Sequence, residues 1–384
     1  MQRITQEDIY RNNRHRIYMK IYKGRRYVFQ PEIPYELQMS RPTMTEHLAA
    51  MEEEGLIYRN KVFVYTYRDG LGRRPMLWSV DEKYRIAVGV EISEHTVEMA
   101  AINLYGEAMK CEKFRAEYEN SESYYEDIAV KVKEFISSLE VRNPEEKILG
   151  IGFALQGIVS EDGGTVTYGE ILKCTGLKID VFRKRLNYPC KFIYATNCAA
   201  LSELWLTPKY KSLFYISMDE HLSGALVMAD DIFQSVQVHH SRFEHITACV
   251  DGEPCYCGKH GCYETVCSKV ALLRGDDADE FFRRVRNGEA EASERWQNFL
   301  KYLGRLIANL HLLTDTRYIL GGHLAPYFTA EDIRTLYEYV RERTPFIEED
   351  DYILPSKIPS HNITIGAALP YIMRFLENVP DVKP

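Results

Sequence analysis

The chain has 384 residues, 45% of them hydrophobic and 27% charged, ordinary values for a globular protein long enough for two or three domains. No apolar run approaches the roughly 20 residues that a membrane helix needs, and residues 1–8 lack the apolar centre of a signal peptide. The net charge of −8 is uneven: residues 1–85 carry 16 Lys+Arg against 11 Asp+Glu and the rest 32 against 45, a basic head on an acidic body, which fits a nucleic-acid module joined to something else.

Residues 5–23 read as a helix. Ile9, Tyr10, Ile17 and Ile21 form an apolar stripe, Arg11, Arg14, Arg16 and Lys20 a basic face, and Gly24 suits the C-cap. A second short helix follows Pro31 over residues 32–39. Ser40 can cap a third, with Pro42 tolerated in its first turn, although Thr43-x-x-Glu46 offers a competing capping box. Met44, Leu48 and Met51 share one face of that helix, and Arg41, Thr43, Thr45 and His47 point elsewhere. Gly55 ends it, and two β-rich runs follow, residues 62–67 and 76–80, around a turn that holds Arg68, Arg73 and Arg74. Three helices and a basic-tipped hairpin describe a winged helix-turn-helix. Ser40, Arg41, Thr43, Thr45 and His47 would meet a major groove, and the wing arginines a narrow minor groove or phosphates. A small helical protein-interaction domain is the plain alternative.

From about Tyr84 the pattern changes. Residues 86–92 and 96–104, with a turn at Tyr105, read as strands joined by tight turns, and a related plan recurs at 212–218 and 222–228 with a turn at 229–231. A meander-plus-helix unit that occurs twice suggests two α/β lobes related by duplication. Between the copies, 121–139 is an amphipathic helix, 148–159 a buried strand and its turn, and 192–196 another strand, with Asn197 in the turn that enters the next helix. Trp296, Phe299, Leu300, Leu303, Ile307 and Leu310 stripe one face of a long helix, read as core and not as a cofactor box. A strand ends at the glycine pair 321–322, and Ile365 opens the last helix.

Nine cysteines, an odd number with three in one loop, argue for reduced thiols and a cytoplasmic protein. That loop runs Cys255-x-Cys257-Gly-x-x-Gly-Cys262-x-Glu264, with His245 ten residues before the first cysteine. Three thiolates and an imidazole make the tetrahedral set that Zn²⁺ prefers in closed structural sites. Gly258 and Gly261 let the loop fold back. His260, Cys267 or Cys249 could replace a ligand. Four protein ligands leave no open position for a metal-dependent hydrolase.

This signature is similar to the zinc loop of the ROK family (repressors, open reading frames and sugar kinases), and the Ser-Arg-Pro-Thr-Met-Thr…Gly-Leu-Ile…Gly-Arg-Arg-Pro run resembles the head of its repressors. The resemblance implies an α+β multidomain fold: a winged helix-turn-helix over residues 1–83, then a two-lobed, actin-like (ribonuclease-H-like) α/β body with lobes at 84–198 and 199–384, the last helix free to pack back on the first lobe. It also implies that His245 and Glu264 are fixed against a bound sugar, and that Asn197 stands at a sugar-contacting position.

The family contains kinases and repressors. A kinase needs amide-lined phosphate turns and a carboxylate base. The family's Asp-then-Gly-Gly-Thr turn is matched here by Glu91-Ile-Ser-Glu-His95, and its second turn by Met218-Asp-Glu-His-Leu-Ser-Gly224, acids where phosphates would sit. Cys198 replaces the catalytic Asp, and Arg242 replaces the Glu of the Gly-Glu-x-Gly-His pattern. The expectation is therefore no catalysis: a regulator, most simply a repressor, that binds operator DNA as a homodimer or homotetramer. Its effector would be a sugar-like metabolite held by Asn197, Arg242, His245 and Glu264, and Arg242 favours an anionic one. A ROK sugar kinase with a helical extension is the competing reading, and a body that has lost its ligand and only dimerises is the bland one.

Overall fold

The computed structural model describes residues 5–60, 76–231, 235–344, 346, 351–358 and 361–379. The run 62–67 and the three arginines Arg68, Arg73 and Arg74 lie outside the described residues. Helix α1, Gln6–Lys23, starts at a reciprocal cap: the Thr5 hydroxyl accepts from the Asp8 N–H at 3.1 Å and the Asp8 carboxylate from the Thr5 N–H at 2.9 Å. Strand β1 (Val28–Phe29), helix α2 (Glu32–Leu37), helix α3 (Arg41–Glu53) and strands β2 (Ile57–Asn60) and β3 (Leu77–Val80) complete the head. The strands form an antiparallel sheet in the order β1-β3-β2. Of the two possible starts for α3 the Ser40 cap is used, accepting from the Thr43 N–H at 3.2 Å.

The first lobe comprises β4 (Ile86–Ile92), β5 (Thr96–Ile102), β6 (Ala108–Arg115), α4 (Glu122–Ser137), α5 (Pro144–Lys147), β7 (Ile148–Leu155), the small hairpin β8 (Ile158–Val159) and β9 (Val166–Tyr168), α6 (Asp180–Leu186) and β10 (Cys190–Tyr194). Helix α7 (Ala195–Leu206) follows, so Asn197 lies inside its first turn, not ahead of it. The second lobe contains β11 (Ser212–Met218), β12 (Leu222–Asp231), β13 (Ser235–Ser241), α8 (Glu264–Cys267), α9 (Lys269–Leu273), α10 (Ala278–Arg286), α11 (Ala290–His311), β14 (Arg317–Gly321), α12 (Ala330–Arg341) and β15 (Ile353–Pro355). The two sheets have one topology, β6-β5-β4-β7-β10 and β13-β12-β11-β14-β15, an antiparallel meander extended by two parallel strands. The repeat inferred from pattern is thus a repeat of topology. The Trp296-to-Leu310 stripe of α11 is buried core.

Helix α13 (Asn362–Glu377) returns to the first sheet and packs on β4, β5 and β7. Glycines make room for it: a Cβ on Gly89 would lie 1.8 Å from the Thr364 carbonyl oxygen, and one on Gly152 2.0 Å from that of Ala367. Helix α7 lies on β11 and β12 and crosses α13, where a Cβ on Gly366 would meet the Cys198 carbonyl at 1.8 Å. The head continues this core. Ile17, Tyr18, Ile21 and Tyr22 of α1 share one cluster with Leu104, Tyr105, Trp205, Phe375 and Leu376. The Tyr22 hydroxyl donates to the Leu104 carbonyl at 2.7 Å, and His15 Nε2 lies 2.9 Å from the Leu376 carbonyl. Among the described residues no helix is long and apolar enough to cross a membrane.

Candidate functional site

The metal loop leaves β13 through a single 3-10 turn, Phe243–His245, and closes at Cys262, just before α8. Gly258 and Gly261 sit at φ +85° and +70°, and a Cβ on Gly261 would lie 1.6 Å from the Cys249 carbonyl oxygen, so this reversal requires glycine. His245, Cys255, Cys257 and Cys262 bring one donor atom each to within 4.8 Å of one another. Tetrahedral Zn²⁺ at about 2.3 Å from sulfur and about 2.0–2.1 Å from nitrogen sets S···S edges near ~3.8 Å and S···N edges near ~3.6 Å. The observed separations are 3.7 Å for Cys257–Cys262 and 3.6 Å for Cys255 Sγ to His245 Nδ1. The former is far too long for a disulfide. Burial pushes the Cys255 thiol up, so the site would hold it as a thiolate only with a cation beside it. The alternative ligands stand apart: Cys249 contacts the Tyr302 hydroxyl at 3.1 Å, Cys267 is fully buried, and His260 is not in the group.

Beside the loop a cavity of about 270 Å³ opens between the lobes. Gln156, Ile158, Tyr168, Glu170 and Tyr194 line it from the first lobe, and His221, Ser223, Arg242, Glu244, His245 and Tyr256 from the second. Of the four expected effector residues it holds two, Arg242 and His245. Glu264 is only 6% exposed and is a brace: one carboxylate oxygen lies 2.8 Å from His221 Nδ1 and the other accepts the Leu222 N–H at 2.7 Å. The contact between His221 and the Glu264 carboxylate raises the His221 pKa. Asn197 is not in the cavity wall, and its Oδ1 is buried without a partner among the described residues.

Sequence reasoning missed Glu244. Arg242 stands where a Glu was expected, but a carboxylate recurs two residues on, 6% exposed, with Oε2 unpartnered among the described residues. Burial raises its pKa to about 7. The cavity has therefore not lost its acid, and Arg242 alone does not set its charge.

The two turns likened to phosphate turns are acidic and occupied. Glu91 is raised to about 7 by burial, then by Glu98 and Asp219. Asp219 is held low despite burial by the His323 ring at 2.8 Å, with the Ser217 hydroxyl at 2.6 Å and the His323 N–H at 2.8 Å also donating to it. Cys198 is fully buried, and that burial drives its thiol well above its ordinary value, so it is no general base.

On the head, Ser40, Arg41 and Thr45 are exposed and Thr43 half-buried. Three of the hydroxyls are engaged locally: Ser40 with Thr43 at 2.7 Å, and Thr45 donating to the Arg41 carbonyl at 2.9 Å. His47 does not face outward. It is 1% exposed, its ring 4.3 Å from that of Tyr10, because its position on α3 turns it toward α1. Arg14 likewise leaves the basic face of α1, buried in an ion pair with Glu54. Arg59 of β2 was overlooked; it lies over the Trp78 ring at 5.5 Å beside α3.

The ROK family profile matches residues 87–371. The chain belongs to the ROK family. Among ROK proteins it is 24% identical to the xylose repressor of Caldicellulosiruptor bescii over 306 residues, 71% of this chain and 74% of that one. It is 26% identical to the glucokinase of Halalkalibacterium halodurans over 267 residues, 61% of this chain and 79% of the kinase. In structure it is similar to a ROK family transcriptional regulator, a homolog of the E. coli MLC protein, with a TM-score of 0.75 and 18% identity over 96% of this chain and 97% of that one. The family profile thus covers the body, in the actin-like arrangement of regulators and sugar kinases, and the likeness in fold to the regulator extends over the head as well.

Proposed function

We propose that the chain is a DNA-binding transcriptional regulator, a repressor, in which residues 1–83 read operator DNA and the lobes at 84–198 and 199–384 hold a sugar-like effector between them. The observation that carries this reading is the chemistry of the turns that match the family's phosphate turns: Ser93 and Glu94 stand where the first turn has its glycines, and Asp219 and Glu220 lie in the second, so carboxylates meet the place where nucleotide phosphates would need amides. Similarity to a xylose repressor and to a regulator over nearly the whole chain supports it. The His245/Cys255/Cys257/Cys262 group would hold a structural Zn²⁺, which braces the loop beside the cleft and leaves no open coordination position.

Arg41 at the start of α3 and Thr45 one turn on would approach DNA, which their exposure supports, and Ser40 and Thr43 shape that helix start. Arg68, Arg73 and Arg74 are assigned to DNA on the sequence alone. A symmetric dimer or tetramer would match a pseudo-palindrome. Arg242 would favour an anionic effector and buried Glu244 a neutral polyol; the acid, being the more enclosed, weighs more. The lobes enclosing the effector would move the heads and change half-site fit.

The test is footprinting on the DNA upstream of this gene and its neighbours, with expected protection of two half-sites about one or more helical turns apart; a single unpaired half-site would contradict the dimer, and no binding at low salt the reading itself. The kinase reading is favoured by the glucokinase similarity. ATP-dependent phosphorylation of a hexose by pure protein would establish it.

A further inference from the structure

Building on the sugar-binding role proposed for the cleft, we propose that Tyr256 is the platform on which the effector's ring stacks, so that the metal loop is itself a wall of the ligand site. Tyr256 lies between Cys255 and Cys257, two members of the ligand group, so metal bonds on both sides would pin its backbone. Its ring stands nearly perpendicular to two histidine rings: His245 at 5.1 Å and 76°, and His221 at 5.0 Å and 73°. Each histidine has its own anchor. His245 Nδ1 faces Cys255 Sγ at 3.6 Å, and His221 Nδ1 is 2.8 Å from Glu264, whose other oxygen takes the Leu222 N–H.

The ring held this way still lines the cavity and is 46% exposed. An aromatic side chain fixed in place before binding loses little rotamer entropy when a ligand covers it. The same cavity is lined by Glu244, 6% exposed with an oxygen that lacks a partner among the described residues. A flat apolar surface and a carboxylate acceptor match a cyclic sugar, which has a C–H face for the ring and hydroxyls at its rim for the acid.

Metal occupancy and ligand affinity are then linked, and by reciprocity each strengthens the other by the same factor. The metal-loaded full-length protein is titrated calorimetrically with three neutral sugars, D-xylose, D-glucose and N-acetyl-D-glucosamine, and the best binder is carried to three variants. Tyr256→Ala should weaken binding at least about tenfold while Tyr256→Phe and Tyr256→Trp stay within about threefold, all with one metal per chain. Chelation should bring the unaltered protein down to the level of Tyr256→Ala and weaken that variant little further. Unchanged affinity in Tyr256→Ala overturns the platform. So does an equal loss in Tyr256→Phe, because the hydroxyl and not the ring would then be the contact. If the unaltered protein binds none of the three sugars, the effector role of the cleft fails first and the platform with it.

Discussion

At Glu91 a carboxyl on β4 faces its cross-strand neighbour Glu98, and burial raises its pKa to about 7. A group whose folded pKa lies above its unfolded value of about 4.5 binds its proton more tightly when folded. Its stabilising contribution is full below about pH 4.5 and is lost as pH rises through 7. Glu91→Gln should therefore leave urea stability nearly unchanged at pH 5 and raise it at pH 8, by on the order of 2–3 kcal/mol. Two head residues divide in the same manner. His47→Ala should cost about 1–2 kcal/mol of stability with operator preference intact, since the ring is buried against Tyr10. Arg41→Ala should weaken operator binding, measured by fluorescence anisotropy, with the melting temperature unchanged, since the side chain is exposed. All three residues were visible in the sequence, but which way His47 points was not, because Met44 and Leu48 define an apolar face only to within about one residue's rotation on either side.

The metal loop is an element defined almost wholly by local chemistry. Spacing singled out the three cysteines and left His245 open to substitution by His260, Cys267 or Cys249, and the donor separations of His245, Cys255, Cys257 and Cys262 would suit one tetrahedral ion. One Zn²⁺ per chain is expected by mass spectrometry of metal content, lost in Cys262→Ser and weakened in Gly261→Ala, where the new Cβ meets the Cys249 carbonyl at 1.6 Å. The repeated strand meander was equally legible, since alternation and tight turns are short-range signals. Glu264 shows the limit: its place in the motif is plain, but that it clamps His221 and the Leu222 N–H depends on β12, some forty residues earlier in the chain.

Over the whole molecule, α1 links head and body. Tyr18, Ile21 and Tyr22 are buried against Leu104, Tyr105, Trp205 and Phe375, and burial of each large apolar side chain is worth about 1.5–3 kcal/mol. A fragment of residues 1–85 should accordingly lack the cooperative thermal transition of the full chain by circular dichroism; a sharp transition at the full chain's temperature would show the head to be independent. Helix α13 touches the second lobe through Asn362, whose amide donates to the Tyr215 hydroxyl at 3.0 Å, and the head through Leu376 near its other end. This helix, in contact with both, is the route by which a movement of the lobes would reach the head.

The sequence by itself determined the class of the protein: a basic head, a duplicated α/β body, a Cys/His loop with four candidate metal ligands, and acids in the turns that match the family's phosphate turns. Each follows from residue type and short spacing. Tertiary structure decided what faces what. It turned His47 and Arg14 inward, set Glu264 behind the cleft and Tyr256 and Glu244 into it, and joined α1 to the body. Those outcomes depend on contacts between segments far apart in the chain, where the packing of two surfaces, and not the period of either, chooses the exposed side.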